Sequence, residues 1–211
     1  MAEKDILYLE LLDALAARGC ALCRLALKAS DSYINALLYE GVIDVPIREE
    51  LRNARGLCYR HAWRMAARRG SVLGTAIIYR DVINALARAL EEEPVAPRGW
   101  RGKKDSLDRR LAPTTGCPAC QLEGNAERRA AKTLLKHMGA PEVADAFSAS
   151  SGFCLPHFRL LLSHASEKDA RTVALWQGTA LRRLRDELDE LIRKHDYRFQ
   201  HERVTEEEAD A

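Results

Sequence analysis

The chain has 211 residues, a formal net charge of +2, 47% hydrophobic residues and 30% charged ones. That balance belongs to a globular protein with a buried core; it excludes a disordered chain and gives no global pull toward nucleic acid. No apolar run reaches the roughly 18 residues of a membrane span, and the opening MAEKDILYLE is acidic where a secretory leader is basic, so the expectation is a cytoplasmic protein with no membrane partner.

Helical periodicity recurs throughout, and strand-like alternation is absent. A first helix is predicted over 4–18. Cys20-Ala-Leu-Cys23 then opens a helix over 21–40, which Gly41 stops. Pro46 suits the first turn of a short helix over 46–54. Gly56 precedes Cys58-Tyr-Arg-His61, which opens a helix over 58–69. A long helix over 72–93 follows, with an apolar stripe of Val72, Ala76, Tyr79, Ile83, Leu86 and Leu90. Residues 94–116 hold Pro94, Pro97 and Pro113 with Gly99, Gly102 and Gly116, and read as a linker. Cys117-Pro-Ala-Cys120 opens the next helix, 118–138, which ends at Gly139. Pro141 starts a helix over 141–149, and Cys154-Leu-Pro-His157 opens one over 155–164. Ser166 with Asp169 resembles a capping box for the last helix, 167–197, whose stripe is Val173, Trp176, Ala180, Leu184, Leu188 and Leu191. The end, 198–211, is an acidic tail expected to fray.

The same cysteine–histidine pattern is thus written twice, and it uses all six cysteines. Gly19, Cys20, Cys23, Leu25, Leu37 and Leu38 match Gly116, Cys117, Cys120, Leu122, Leu134 and Leu135 at an offset of 97, and Gly56, Cys58 and His61 match Gly152, Cys154 and His157 at 96. Duplication of a four-helix unit accounts for this. The expected organisation is all-α: a metal-binding half over 1–95 that includes the extra N-terminal helix, a linker over 96–115, a second metal-binding half over 116–197, and the tail.

CxxC and CxxH each place two ligands on one face of a helix start, and two such pairs supply four ligands at tetrahedral angles. The metal ligands read from the pattern are Cys20, Cys23, Cys58 and His61, with Cys117, Cys120, Cys154 and His157. Cys23 to Cys58 is 35 positions and Cys120 to Cys154 is 34, which favours pairing within each half, although a swapped pairing satisfies the same counts. Zinc fits a thiolate-rich Cys3His set best. Iron–sulfur ligation is the main rival, and a dithiol redox role is third. Disulfides are disfavoured in a reducing compartment. Arg24, Arg60 and Arg159 adjoin the ligands and are placed to offset thiolate charge. Gly56 and Gly152 allow the tight backbone of such a knuckle.

Other features have plainer readings. Arg98, Arg101, Lys103 and Lys104 surround Trp100, but Asp105 and Asp108 dilute the patch, so a linker is favoured over a nucleic-acid contact. His137, His164, His195 and His201 read as structural, and Trp63 and Trp176 as core. Tyr79-Arg80-Asp81 and His195-Asp196-Tyr197-Arg198 read as salt-bridged helix surface. No catalytic triad, phosphate-cradling loop or nucleotide fingerprint is present, which lowers the expectation of an enzyme without deciding it.

The combination of CxxC, Leu37-Leu-Tyr-Glu40, Gly56-Leu-Cys-Tyr-Arg-His-Ala-Trp63 and Leu73-Gly-Thr-Ala-Ile-Ile-Tyr79, with GCPAC, GFCLPH and His195-Asp-Tyr-Arg-Phe199 in the second half, resembles an uncharacterised prokaryotic family catalogued as domain of unknown function 6062. The resemblance spans nearly the whole chain and brings no activity with it. The residues themselves lead to a metal-binding protein with two Cys3His centres, holding zinc in structural sites and presenting a surface to a protein partner. An iron–sulfur electron carrier is the alternative, and a nucleic-acid-binding module a minor one.

Overall fold

The structure is a computed structural model and describes residues 5–91, 108–199 and 201–205. Among these residues it is all helical: α1 (Ile6–Ala16), α2 (Ala21–Tyr39), α3 (Val45–Asn53), α4 (Tyr59–Ala66), α5 (Val72–Glu91), α6 (Pro118–His137), α7 (Pro141–Ala149), α8 (Leu155–His164) and α9 (Glu167–Lys194), with a short helical segment over 108–111. Local chemistry sets the ends. Asp5 and Asp44 accept the Tyr8 and Ile47 amides at 2.9 Å, capping α1 and α3. Ser166 accepts the Asp169 amide at 3.2 Å and caps the last helix, while the Asp169 carboxylate accepts from the Ser166 hydroxyl at 2.7 Å rather than from its backbone N–H as in a full capping box.

The chain folds as two compact units. The first comprises Met1–Leu25 and Ala126–Ala211, the second Ala26–Asn125, and the boundaries fall inside α2 and α6. The first unit packs α1, α7, α8 and α9 around Leu11, Leu15, Leu22, Leu134, Val143, Phe147, Leu161 and Val173. Phe147 stacks on Trp176, ring centres 5.0 Å apart, and His137 is buried with its ring 4.5 Å from Tyr8. The stripe on α9 faces this core at Val173, Trp176 and Ala180 and emerges by Leu188, which is exposed.

The second unit packs α3, α4 and α5 around Ile34, Leu37, Leu51, Leu57, Met65, Ile78 and Val82. Asp81 takes Arg48 at 3.0 Å and Arg52 at 2.6 Å, tying α5 to α3 and holding its carboxyl below the usual range against the opposing effect of burial. This is the salt-bridged surface expected of Tyr79-Arg80-Asp81, and Asp196 pairs with Arg198 likewise at 2.7 Å. Two expectations fail here. Val72, Ala76, Ile83 and Leu90 are exposed, and the face of α5 that packs carries Ile78 and Val82 with Tyr79 and Leu86. Trp63 is not core: it is 63% exposed beside an exposed Tyr59, the rings 6.2 Å apart.

Candidate metal centres

The eight predicted ligands come together as two groups of four, and not in the expected pairing. Cys20 and Cys23 meet Cys154 and His157 in the first unit, and Cys58 and His61 meet Cys117 and Cys120 in the second. Each CxxC is completed by the CxxH of the other sequence half. The expectation of pairing within each half is therefore wrong. The four ligand atoms of each group lie within 4.8 Å of one another, so each group could hold a metal ion.

The backbone explains how the ligands present themselves. Cys58 and Cys154 are the N-cap residues of α4 and α8, in extended conformation, and neither sulfur caps its helix. The thiol is left for the group, and the following helical turn swings His61 or His157 onto the same face. Two residues earlier, Gly56 and Gly152 stand at φ +90° and +79°, as the sequence anticipates for a knuckle.

In the first unit the Nδ1 of His157 lies 3.4 Å from the Cys20 sulfur, 3.2 Å from Cys23 and 3.1 Å from Cys154, with Cys23 and Cys154 3.6 Å apart. In the second, Nδ1 of His61 lies 3.3 Å from Cys58, 3.4 Å from Cys120 and 3.7 Å from Cys117, with Cys58 and Cys120 3.5 Å apart. All six cysteines are free thiols. Burial pushes the Cys20 thiol up, but hydrogen bonds from His157 and from the Cys23 and Cys154 backbone outweigh it and bring it down to about 6. Burial likewise opposes ionisation of Cys58, which hydrogen bonds from the His61 backbone and from Cys120 bring to about 7. Burial and the neighbouring thiolates push Cys23 and Cys120 up to about 12. The hydrogen bond to Cys20 raises His157 to about 9 despite burial. Each group thus pairs one thiol that ionises readily with another held protonated by its neighbours, and a cation bound there would displace protons.

Both histidines turn their other nitrogen onto a glutamate of α6. His61 Nε2 lies 2.9 Å from Glu123, and His157 Nε2 lies 3.2 Å from Glu127. Glu123 is buried and also receives the Ser30 hydroxyl at 2.7 Å, Arg64 at 3.3 Å and Arg60. Burial alone would push its carboxyl up; the hydrogen bonds from His61 and Ser30 and the charges of His61 and Arg60 hold it below the ordinary range. Arg60 thus does serve its site, acting on Glu123 and Cys120. The Arg24 guanidinium instead donates to the Arg18 carbonyl at 2.6 Å. Sequence reading missed Glu123 and Glu127, although they follow Cys120 by three and seven positions and so share its helix face. It also missed Gln177, whose amide accepts the Phe153 N–H at 2.8 Å and donates to the Phe153 carbonyl at 3.0 Å, clamping the strand-like approach to Cys154.

Fold and site together define an all-helical protein with two Cys3His groups able to hold metal ions. The chain belongs to a family of unknown function, DUF6062, which it matches over residues 1–209. It is also similar to an uncharacterized 23.9 kDa protein in the xynA 3′ region of Caldicellulosiruptor sp. (strain Rt8B.4), with 26% identity over 191 residues, covering 90% of this chain and 88% of the relative. No solved structure matches it.

Proposed function

We propose that the chain is a non-catalytic metal-binding protein in which each Cys3His group takes one zinc ion and closes its unit's helices together, leaving an exposed surface for a protein partner. The observation that carries this reading is the spacing of the ligand atoms. A tetrahedral ion bound at about 2.3 Å to sulfur and 2.0–2.1 Å to nitrogen sets sulfurs about 3.8 Å apart and sulfur and nitrogen about 3.5 Å apart. The groups here span 3.1–3.7 Å between sulfur and nitrogen and 3.5–3.6 Å for one sulfur pair in each group, with all four ligand atoms of a group within 4.8 Å of one another. That spacing suits a single ion. An iron–sulfur cluster interposes several atoms between its thiolates and spreads them further. Free thiols in this arrangement suit a reducing compartment, in keeping with the cytoplasm. The basic residues 98–104 behind the nucleic-acid alternative lie outside the described residues.

The test is elemental analysis and an absorption spectrum of protein purified without oxygen or added metal. Two zinc ions per chain in a colourless sample are expected. Iron with acid-labile sulfide and a visible band would replace this reading with an electron carrier, and a well-folded metal-free protein would leave the dithiol chemistry.

A further inference from the structure

We propose that Glu123 and Glu127 are the positioning residues of the two centres: each fixes the tautomer and ring orientation of its histidine, so that Nδ1 is the metal-binding atom. This rests on the metal-site reading. A carboxylate can only accept, so the nitrogen facing it carries the proton. With Nε2–H donated to Glu123 at 2.9 Å or to Glu127 at 3.2 Å, the lone pair of a neutral ring sits on Nδ1, at 3.1–3.7 Å from the thiols. The same arrangement occurs twice, on ligands from different helices, which a chance surface contact does not explain. The carboxylates are not part of the duplicated pattern. At the offset of 97, Glu123 and Glu127 correspond to Ala26 and Ser30, so α6 alone carries both, and Ser30 is itself a donor to Glu123. A carboxylate behind a ligating imidazole raises its basicity and fixes its rotation, and removing one costs about 10–100-fold in metal affinity.

Glu127 is the cleaner position to change, because its side chain is about one-third exposed whereas Glu123 is buried. The full chain, Glu127→Ala, Glu127→Gln and Glu123→Gln are each titrated with zinc against a competing chelator, and the histidine tautomers of the zinc-loaded forms are read by long-range proton–nitrogen correlation. Expected are two zinc ions on the wild type, both histidines bound through Nδ1 with Nε2–H, and a 10–100-fold weaker first-unit site in Glu127→Ala. Glu127→Gln, which keeps an acceptor oxygen, should recover most of that loss. A wild type loading two ions, with Glu127→Ala unchanged within twofold or His157 bound through Nε2, overturns the positioning role alone. A folded wild type that takes up no zinc overturns the metal-site reading and this one with it.

Discussion

The two centres have the same ligand set and are supported by different physics. Around His61, which is wholly buried, the support is electrostatic: Glu123 is buried with Arg60, Arg64 and Ser30 on it, and Asp31 takes Arg64 and Arg68 in turn. Around His157 the support is backbone clamping. Gln177 holds both polar groups of Phe153, the Ser151 hydroxyl accepts the Gly19 amide at 3.1 Å, and the carboxylate on the histidine is the more exposed of the two. The apolar surroundings differ too. Among the described residues, the first unit's cluster gathers Tyr8, Leu11, Leu15, Leu22, Phe147, Phe153 and Trp176, whereas the second unit's is smaller and has no phenylalanine or tryptophan in it. A unit with less apolar burial and a buried network of charges would depend more on an ion held at its Cys3His group.

The comparison breaks outright if the ligand pairing is otherwise, and paired substitutions decide that. Cys20→Ser with Cys154→Ser strikes one group and should leave one of two ions, whereas Cys20→Ser with Cys58→Ser strikes both and should leave none, counted by elemental analysis. Pairing within the sequence halves predicts the opposite pattern.

Chelation should sharpen the difference between units. A structural zinc site contributes about 10–16 kcal/mol in apparent terms, against about 5–15 kcal/mol for a whole domain. Hydrogen exchange after metal removal should rise in both units, and further in α4 and α5 than in α1 and α7. Equal loss of protection would remove the distinction drawn between the two cores.

Acidification probes the ligands themselves. With Cys23 pushed up to about 12 and His157 raised to about 9, both carry protons at neutral pH in the metal-free form, and an ion must displace them. Affinity at the first-unit centre should therefore fall as pH drops, by about tenfold per pH unit for each displaced proton. The second-unit centre displaces the proton of Cys120, and below about pH 7 that of Cys58 as well, so its dependence should steepen there. A chelator competition run between pH 6 and 8 reads both slopes, and a flat profile would contradict the thiolate assignment.

How much of this was legible depends on what kind of signal each feature leaves. The helix positions were, because Pro141 and Ser166, with Asp169, punctuate the chain locally, and so were the eight residues that gather into two groups able to hold a metal, because CxxC and CxxH have few other uses. The buried face of α5 was not, since Val72, Leu73, Ile77, Ile78, Val82 and Ile83 supply two apolar stripes and periodicity cannot choose between them. On the packed side of α5, Asp81 reaches Arg48 and Arg52 on α3. The ligand pairing was not legible for a reason of magnitude. Closing 131 positions from Cys23 to Cys154 rather than 35 from Cys23 to Cys58 costs only about 1 kcal/mol more in chain entropy, so proximity in sequence has little leverage against packing.

The smallest expected effects lie at the two knuckle glycines, and they separate the two kinds of support most finely. Both sit at positive φ, where a side chain costs about 1–2 kcal/mol. At Gly56 an added Cβ would meet the edge of the Tyr79 ring at 3.2 Å, a contact that a small rotation of the ring relieves. At Gly152 it would meet the Ala180 Cβ at 2.8 Å, fixed on α9, and the Gln177 amide at 3.2 Å. Gly152→Ala must therefore displace α9 or break the clamp on Phe153, adding an overpacking cost of about 1–3 kcal/mol. The expected losses are about 1–2 kcal/mol for Gly56→Ala and about 2–4 kcal/mol for Gly152→Ala. Denaturant unfolding of the metal-loaded variants measures both. Equal losses would mean that the backbone clamp contributes nothing beyond the turn it closes, and that the two centres are supported alike.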